Sequence, residues 1–170
     1  MTHKSAKRAN NIYTKKKEVI FTSRNSVIEK GAAASLLCDV YRNATMGGES
    51  IVTLLPKVTD EALRSELTAQ LSRYRDFAKE AEDKLSAMGE SPEEERPISR
   101  LMAKMGITMN TVIDKTSSHI AQMIIEGAVM GVTDIRKRLN EGLDYGEAEE
   151  LAKRLSDFEE ETVERMKSYL

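Results

Sequence analysis

Five side chains that could bind a metal ion lie on or near the apolar faces of predicted helices. Glu159 lies inside an apolar stripe near the C-terminus. His119 and Glu126 are seven residues apart, so they share one edge of another helix. Glu66 lies on a third helix, and Glu49 follows a glycine pair on a fourth. Because burying an unpaired acid costs free energy, a core-facing member of this set is expected to be a metal ligand or a hydrogen-bonded residue.

Two interpretations of the acids follow from this pattern. In the first, Glu126, Glu159 and either Glu66 or Glu49 converge from separate helices and form a carboxylate metal site. Magnesium or manganese would suit such an all-oxygen ligand set. In the second, Glu126 and Glu159 accept hydrogen bonds from a facing helix, as buried acids usually do. The candidate donors are Tyr41, Tyr74 and Arg73.

The least polar part of the chain, residues 118–131, predicts the central helix of a bundle. Its sequence, SHIAQMIIEGAVMG, is apolar on nearly every face at 100° per residue. A helix of this kind must be surrounded by other elements. Gly127 and Gly131 lie one turn apart on its core stripe, where a neighbouring element can approach closely. The surplus of apolar surface predicts a homo-oligomer, with a dimer as the first expectation.

Capping signals predict the first two helices. Ser26 and Glu29 form a capping box, so helix 1 is expected to begin there. Pro56 is expected to end helix 1, because the residue before a proline avoids helical angles. Thr59 is then expected to cap helix 2. The turn between the two helices is so short that they should be antiparallel neighbours.

The second half of the chain predicts two more helices after a long connection. Residues 89–106 contain two glycines, two prolines and three consecutive glutamates, and are expected to cross the length of the bundle. Helix 3 is predicted from Ile107 to Leu139 and helix 4 from Asp144. The predicted fold is therefore all-α: a four-helix bundle over residues 26–170, preceded by an arm over residues 1–25.

Charge and cysteine content limit the partners and the cellular compartment that the sequence predicts. Residues 1–30 hold eight Lys or Arg and two Glu, whereas the whole chain has a formal net charge of −2. A basic arm of this kind could contact nucleic acid or an anionic surface. The one cysteine, Cys38, excludes an internal disulfide and favours a reducing cytoplasm. No apolar run reaches the length of a membrane span.

Four long helices with one crossover between helices 2 and 3, and with acids at mid-helix, resemble the ferritin-like superfamily of ferritin and rubrerythrin type. That resemblance implies one Glu from each of helices 1 and 3, and an ExxH pair from each of helices 2 and 4, around two iron or manganese ions. Glu126 matches the helix 3 position. Glu159 and Glu66 match the first positions of the two pairs, and Glu49 matches helix 1 if its glycines bend that helix.

The histidine positions of the pattern are altered, because the chain has Thr162 and Ala69 there. The resemblance therefore implies the fold together with a lost di-metal centre. Three functions follow. The first is a structural or interaction module without enzymatic activity, and the second is an acid-rich iron or manganese protein of redox or stress handling, a di-metal oxidoreductase if it is an enzyme. The third is a binder of nucleic acid or an anionic surface through residues 1–25.

Overall fold

Four α-helices make up the described part of the fold. The computed structural model describes residues 3–92 and 114–170, with side chains from residue 28 onward within those ranges. No strand occurs in the described ranges, so the all-α expectation is confirmed for that part of the chain. Short 3-10 helices at Leu55–Lys57 and Lys167–Tyr169 follow the first and last helices. The α-helices are α1 (His3–Leu54), α2 (Glu61–Ala87), α3 (Ser117–Leu139) and α4 (Glu147–Met166).

The predicted start of the first helix is wrong, because α1 begins at His3 and runs for 52 residues, about 78 Å. Ser26 lies inside this helix and is therefore not at its N-terminus. No glycine or proline occurs between His3 and Ser26, and lysine, arginine and alanine extend an existing helix at little cost. The boundary between arm and bundle at residues 25–26 is therefore not a helix boundary.

The turn after α1 is built as predicted, but the cap of α2 is one residue later. Asp60, not Thr59, is the N-cap, and its Oδ1 accepts a hydrogen bond from the backbone N–H of Leu63 at 2.9 Å. A carboxylate there also interacts favourably with the positive end of the helix dipole. Val58 and Leu63 are both buried, but with Asp60 as the N-cap they are not the N′ and N4 positions of a hydrophobic staple, so the predicted staple is not formed.

Replacing Asp60 by alanine is expected to lower the free energy of unfolding by about 1 kcal/mol, because the Leu63 N–H loses its acceptor. Thr59→Ala is the matched control, since Thr59 is exposed and is not the cap, and it should change stability by less than about 0.5 kcal/mol. Urea denaturation of the two variants measures both values. Equal losses would contradict the assignment of the cap.

The starts of α3 and α4 also differ from the sequence prediction. Residues 114–116 are not helical, and Thr116 caps α3 by accepting a hydrogen bond from the His119 N–H at 3.2 Å. The part of the prediction over residues 107–113 lies outside the described residues. Helix α4 begins at Glu147 because the Asp144 side chain accepts from the Gly146 N–H at 2.9 Å, a turn that bends the chain before the helix can start.

Contacts between pairs of helices give the direction of each helix. Helices α1 and α2 are joined by a short turn and are antiparallel, and the end of α4 returns to contact α3. Three ion pairs align α2 and α4 in opposite directions. They are Lys84–Glu147 at 3.7 Å, Glu80–Arg154 at 3.0 Å and Glu66–Arg165 at 2.8 Å. Consequently α1 and α4 run one way, and α2 and α3 run the other way.

The core lies between the predicted apolar faces. Residues of the α3 stripe are buried, among them Ile120, Ile124 and Ile135. Val129 and Met130 on the same helix are about half exposed, at 47% and 50%. No helix in the described ranges is both long and apolar enough to cross a bilayer.

Candidate functional site

A cleft of about 410 Å³ lies between α1 and α3. Its walls carry methionine side chains and small residues of both helices, including Met46, Met123 and Gly127. Its inner end reaches Tyr74 of α2 and Glu159 of α4. All four helices therefore contribute to one concave site, which is where ligand sites of helical bundles usually form.

Glu159 is the polar centre of this site. Its side chain is buried, with a relative exposure of 1%. The Tyr74 hydroxyl donates to Glu159 Oε1 at 3.3 Å, and Asn43 Nδ2 donates to Glu159 Oε2 at 3.4 Å. The groups that bind the carboxyl therefore come from α1 and α2, and neither of them carries a charge.

Two glycines provide the space for these groups. A Cβ added at Gly131 of α3 would lie 2.4 Å from Glu159 Oε1 and 2.5 Å from Oε2. A Cβ added at Gly47 of α1 would lie 2.5 Å from two atoms of the Tyr74 ring. Gly131 thus allows the carboxyl to lie against the backbone of α3, and Gly47 does the same for the tyrosine ring against α1.

Burial decides the charge state of the site. Loss of hydration raises the pKa of Glu159 to about 8, which outweighs the opposite effect of the hydrogen bonds from Asn43 and Tyr74. The negative charge of Asp134 also raises this pKa. The pKa of Tyr74 is raised well above its ordinary value, chiefly by burial and then by the adjacent Glu159. Near pH 7 both groups are therefore mainly uncharged.

The rim of the cleft is charged, and two of its cations, Arg42 and Arg138, form ion pairs. Arg138 Nε lies 2.7 Å from Asp39 Oδ2, and Arg138 Nη1 lies 2.7 Å from Glu141 Oε2. Arg42 Nη2 lies 2.5 Å from Asp39 Oδ1. This network ties α1 to the C-terminal end of α3 beside the exposed Asp134, so the rim has a defined shape.

The structure does not bring the predicted metal ligands together. Glu159 is buried, whereas Glu126 and Glu49 are exposed on their helices. Glu126 accepts a hydrogen bond from Gln122 at 3.0 Å, and Glu66 forms the ion pair with Arg165. His119 is half-buried in the first turn of α3. Within residues 28–92 and 114–170, no group of three or more His, Cys, Asp or Glu is placed to hold a metal ion.

Helix phase explains why these acids do not meet. Gly131 faces Glu159, and Glu126 precedes it by five residues, which turns it by about 140° around α3. Gly47 faces Tyr74, and Glu49 follows it by two residues, about 200° around α1. Helices α1 and α3 are continuous through both positions, so neither glycine interrupts its helix.

The second interpretation of the sequence agrees with the contacts at Glu159, since the Tyr74 hydroxyl donates to it. Arg73 instead places its guanidinium 5.3 Å from the Phe77 ring centroid. Sequence reasoning missed Asn43. A signal was present, because Asn43 lies one helical turn before Gly47, and a polar residue beside a close-approach glycine on a core face indicates a site.

Comparison of the chain with family models, with curated proteins and with solved structures found no match. The interpretation of the site therefore rests on the residues and the geometry described above.

Proposed function

We propose that this protein is a ligand-binding helical module of ferritin-like topology, without the di-metal centre of that superfamily. The helix directions support the topology. Helices α2 and α3 run in the same direction, which is the arrangement that a long crossover between helices 2 and 3 would give. Residues 93–113 of that connection lie outside the described residues. A long connection between helices 2 and 3 is the feature that the resemblance requires.

The groups at the centre of the bundle do not fit a di-metal site. The inner end of the cleft presents one carboxyl, one phenol and one carboxamide, from Glu159, Tyr74 and Asn43. A di-metal centre of this superfamily uses four carboxylates and two imidazoles from the same region. The residues at the two imidazole positions are Thr162 and Ala69, and Ala69 is exposed. Loss of the metal centre is accordingly part of the proposal.

One observation supports the binding function: a cleft lined by methionine side chains ends at a buried carboxyl group. A volume of about 410 Å³ suits a small organic molecule. Methionine side chains adapt to the shapes of different apolar groups. Glu159, Tyr74 and Asn43 supply the few convergent polar atoms that orient a ligand in such sites.

Methionine-methyl NMR of the full-length protein tests this function. Titration with a panel of small neutral and charged amphiphiles is expected to shift the resonances of Met46 and Met123, which line the cleft. Met166 is the internal control, because it is fully buried and does not line the cleft. If no compound shifts the two cleft methionines, or if all methionines shift alike, the proposed function is wrong.

Homo-oligomerisation is a second candidate, because Val129 and Met130 leave adjacent apolar surface about half exposed on α3. A second copy of the chain that packs against this surface would bury it. Sedimentation at tens of micromolar should then show a dimer, and Val129→Lys should shift it toward the monomer. A wild-type monomer at that concentration would contradict this proposal.

Binding of nucleic acid or of an anionic surface by residues 1–25 stays a prediction, because the side chains of that segment lie outside the described residues. A cytoplasmic location likewise stays a prediction. Binding through the basic segment should weaken steeply as the salt concentration rises.

A further inference from the structure

We propose that the ligand of the cleft is an organic ammonium ion, a small primary amine with an apolar substituent, whose –NH₃⁺ group binds the Glu159 carboxylate. This inference rests on the proposed function, since it names the class of ligand that the same cleft would bind. Four observations support it: the lack of a cation beside Glu159, the access that α3 leaves, the charges of the rim and the chemistry of the walls.

The first observation concerns the partners of Glu159. Asn43 and Tyr74 donate hydrogen bonds to its two oxygens but are neutral. Among the described residues, the charged group that acts on Glu159 is Asp134, which is also an acid. No Lys, Arg or His nitrogen of the described residues forms an ion pair with Glu159. An ionised carboxylate here would thus be solvated by two donors and would lack a counter-ion, which is costly in a buried site.

The second observation concerns access. Gly127 and Gly131 lie one turn apart on α3, both line the cleft, and Glu159 lies directly against Gly131. Because these positions have no side chains, the cleft extends along the surface of α3 as far as the carboxyl, which lines its inner end. An ammonium group is compact and donates three hydrogen bonds, so it can use such a path and bind both oxygens from the cleft side.

The third observation concerns the rim. Three cations, Arg42, Lys137 and Arg138, and three acids, Asp39, Asp134 and Glu141, line the cleft besides Glu159. Arg138 and Arg42 are held by acids of this same set. The rim charges balance, so the charge of Glu159 is the one that a bound cation would neutralise.

The fourth observation concerns the walls. Met46, Met123, Ile124 and Ala128 line the cleft and provide an apolar surface for a hydrocarbon substituent. Removing the hydrocarbon surface of such a substituent from water would favour binding. A cation without such a group, such as a metal ion or ammonium itself, would leave this surface unused.

Proton release is the signature of this mode of binding. Glu159 holds a proton below pH 8, and an alkylammonium ion keeps its own charge up to about pH 10. Binding therefore converts the carboxylic acid to a carboxylate and releases one proton to solvent, while the amine stays protonated. Affinity should rise up to about tenfold from pH 6.5 to pH 7.5 and level off above pH 8.

Tyr74 and Asn43, which donate hydrogen bonds to the carboxyl, should add little to the proton release. Tyr74 on α2 stays protonated because its pKa is raised, and Asn43 on α1 does not titrate. Asp134 and Lys137 on α3, and the rim groups Asp39, Arg42, Arg138 and Glu141, are the other charged groups that line the cleft.

The test compares cyclohexylmethylamine with its neutral counterpart cyclohexylmethanol by calorimetry on the full-length protein, in two buffers of different protonation enthalpy. The amine is expected to bind more tightly than the alcohol and to release about one proton at pH 6.5. Glu159→Gln keeps the size of the side chain, and it should weaken amine binding at pH 8 at least about tenfold and abolish the proton release. Asp134→Asn removes an acid of the rim and should weaken amine binding less than Glu159→Gln does. Glu126→Gln, at an exposed position that does not line the cleft, is the matched control, with a change below about threefold.

Each other outcome overturns a stated part of the proposal. If the alcohol binds as tightly as the amine and Glu159→Gln has no effect, the ammonium inference is wrong and the binding function survives. If Asp134→Asn weakens the amine as much as Glu159→Gln does, the cation binds the rim and the inference is also wrong. If neither compound binds and the methionine spectra respond to no ligand, the proposed function itself fails. A cooperative melt of Glu159→Gln at pH 8 shows that the variant is folded.

Discussion

The free energy of unfolding is expected to fall by about 4 kcal/mol between pH 5 and pH 8 because of Glu159 alone. The folded protein holds a proton on this buried carboxyl up to about pH 8, whereas a glutamate in the unfolded chain loses its proton near pH 4.3. Between these values the folded state binds more protons, so stability decreases by up to about 1.4 kcal/mol for each pH unit. The contribution is complete below about pH 4 and is lost above pH 8.

Glu159→Gln isolates this contribution, because the carboxamide is nearly the same size and does not titrate. The variant is expected to equal the wild-type protein within about 1 kcal/mol at pH 5 and to exceed it by several kcal/mol at pH 8. Urea denaturation at intervals of half a pH unit measures the difference. Glu126→Gln is the matched control, since Glu126 is exposed and bonds only to Gln122 among the described residues. Parallel pH curves for wild type and Glu159→Gln would show that Glu159 is not a buried acid.

Gly47→Ala is expected to lower the free energy of unfolding by about 3 kcal/mol, because the new Cβ would overlap the Tyr74 ring. The ring cannot easily withdraw, since it is 4% exposed and packs edge-on against Phe158 with a centroid distance of 5.0 Å. Alanine favours a helix over glycine by about 1 kcal/mol, so the measured loss is what remains after that gain. Thermal and urea denaturation of the variant measure it.

Gly48→Ala is the neighbouring control for this prediction. Its Cβ would meet Leu71 Cδ1 at 3.5 Å and Tyr74 Cβ at 3.7 Å, which are ordinary contacts. This variant should be as stable as the wild type or more stable by up to about 1 kcal/mol. At Gly131 the clash is with the end of the Glu159 side chain, which can rotate toward the cleft, so Gly131→Ala should cost less than Gly47→Ala. Equal stability of the Gly47 and Gly48 variants would contradict the close approach of Tyr74.

Apolar periodicity in the sequence was sufficient to predict helices over most of their length and to place Glu159 in a core stripe. Both results depend on the spacing of residues along one helix, which the chain specifies locally. The helix ends were less certain. Thr59 and Asp60 are both good caps, and the backbone geometry of the turn selects Asp60. The capping-box pattern at Ser26 predicts a helix start, but the helix begins earlier and continues through this position.

The sequence by itself determined the four amphipathic helices, the antiparallel start of the fold and the position of Glu159 on a core face. Only the tertiary structure decided that Glu159 meets Asn43 and Tyr74, and that Glu126 faces away. The reason is that the angle at which one helix presents a side chain to another depends on packing across the core. At Gly47 and Gly131 the side chains of the facing helices lie directly against the backbone, so these two glycines allow the helices to approach closely.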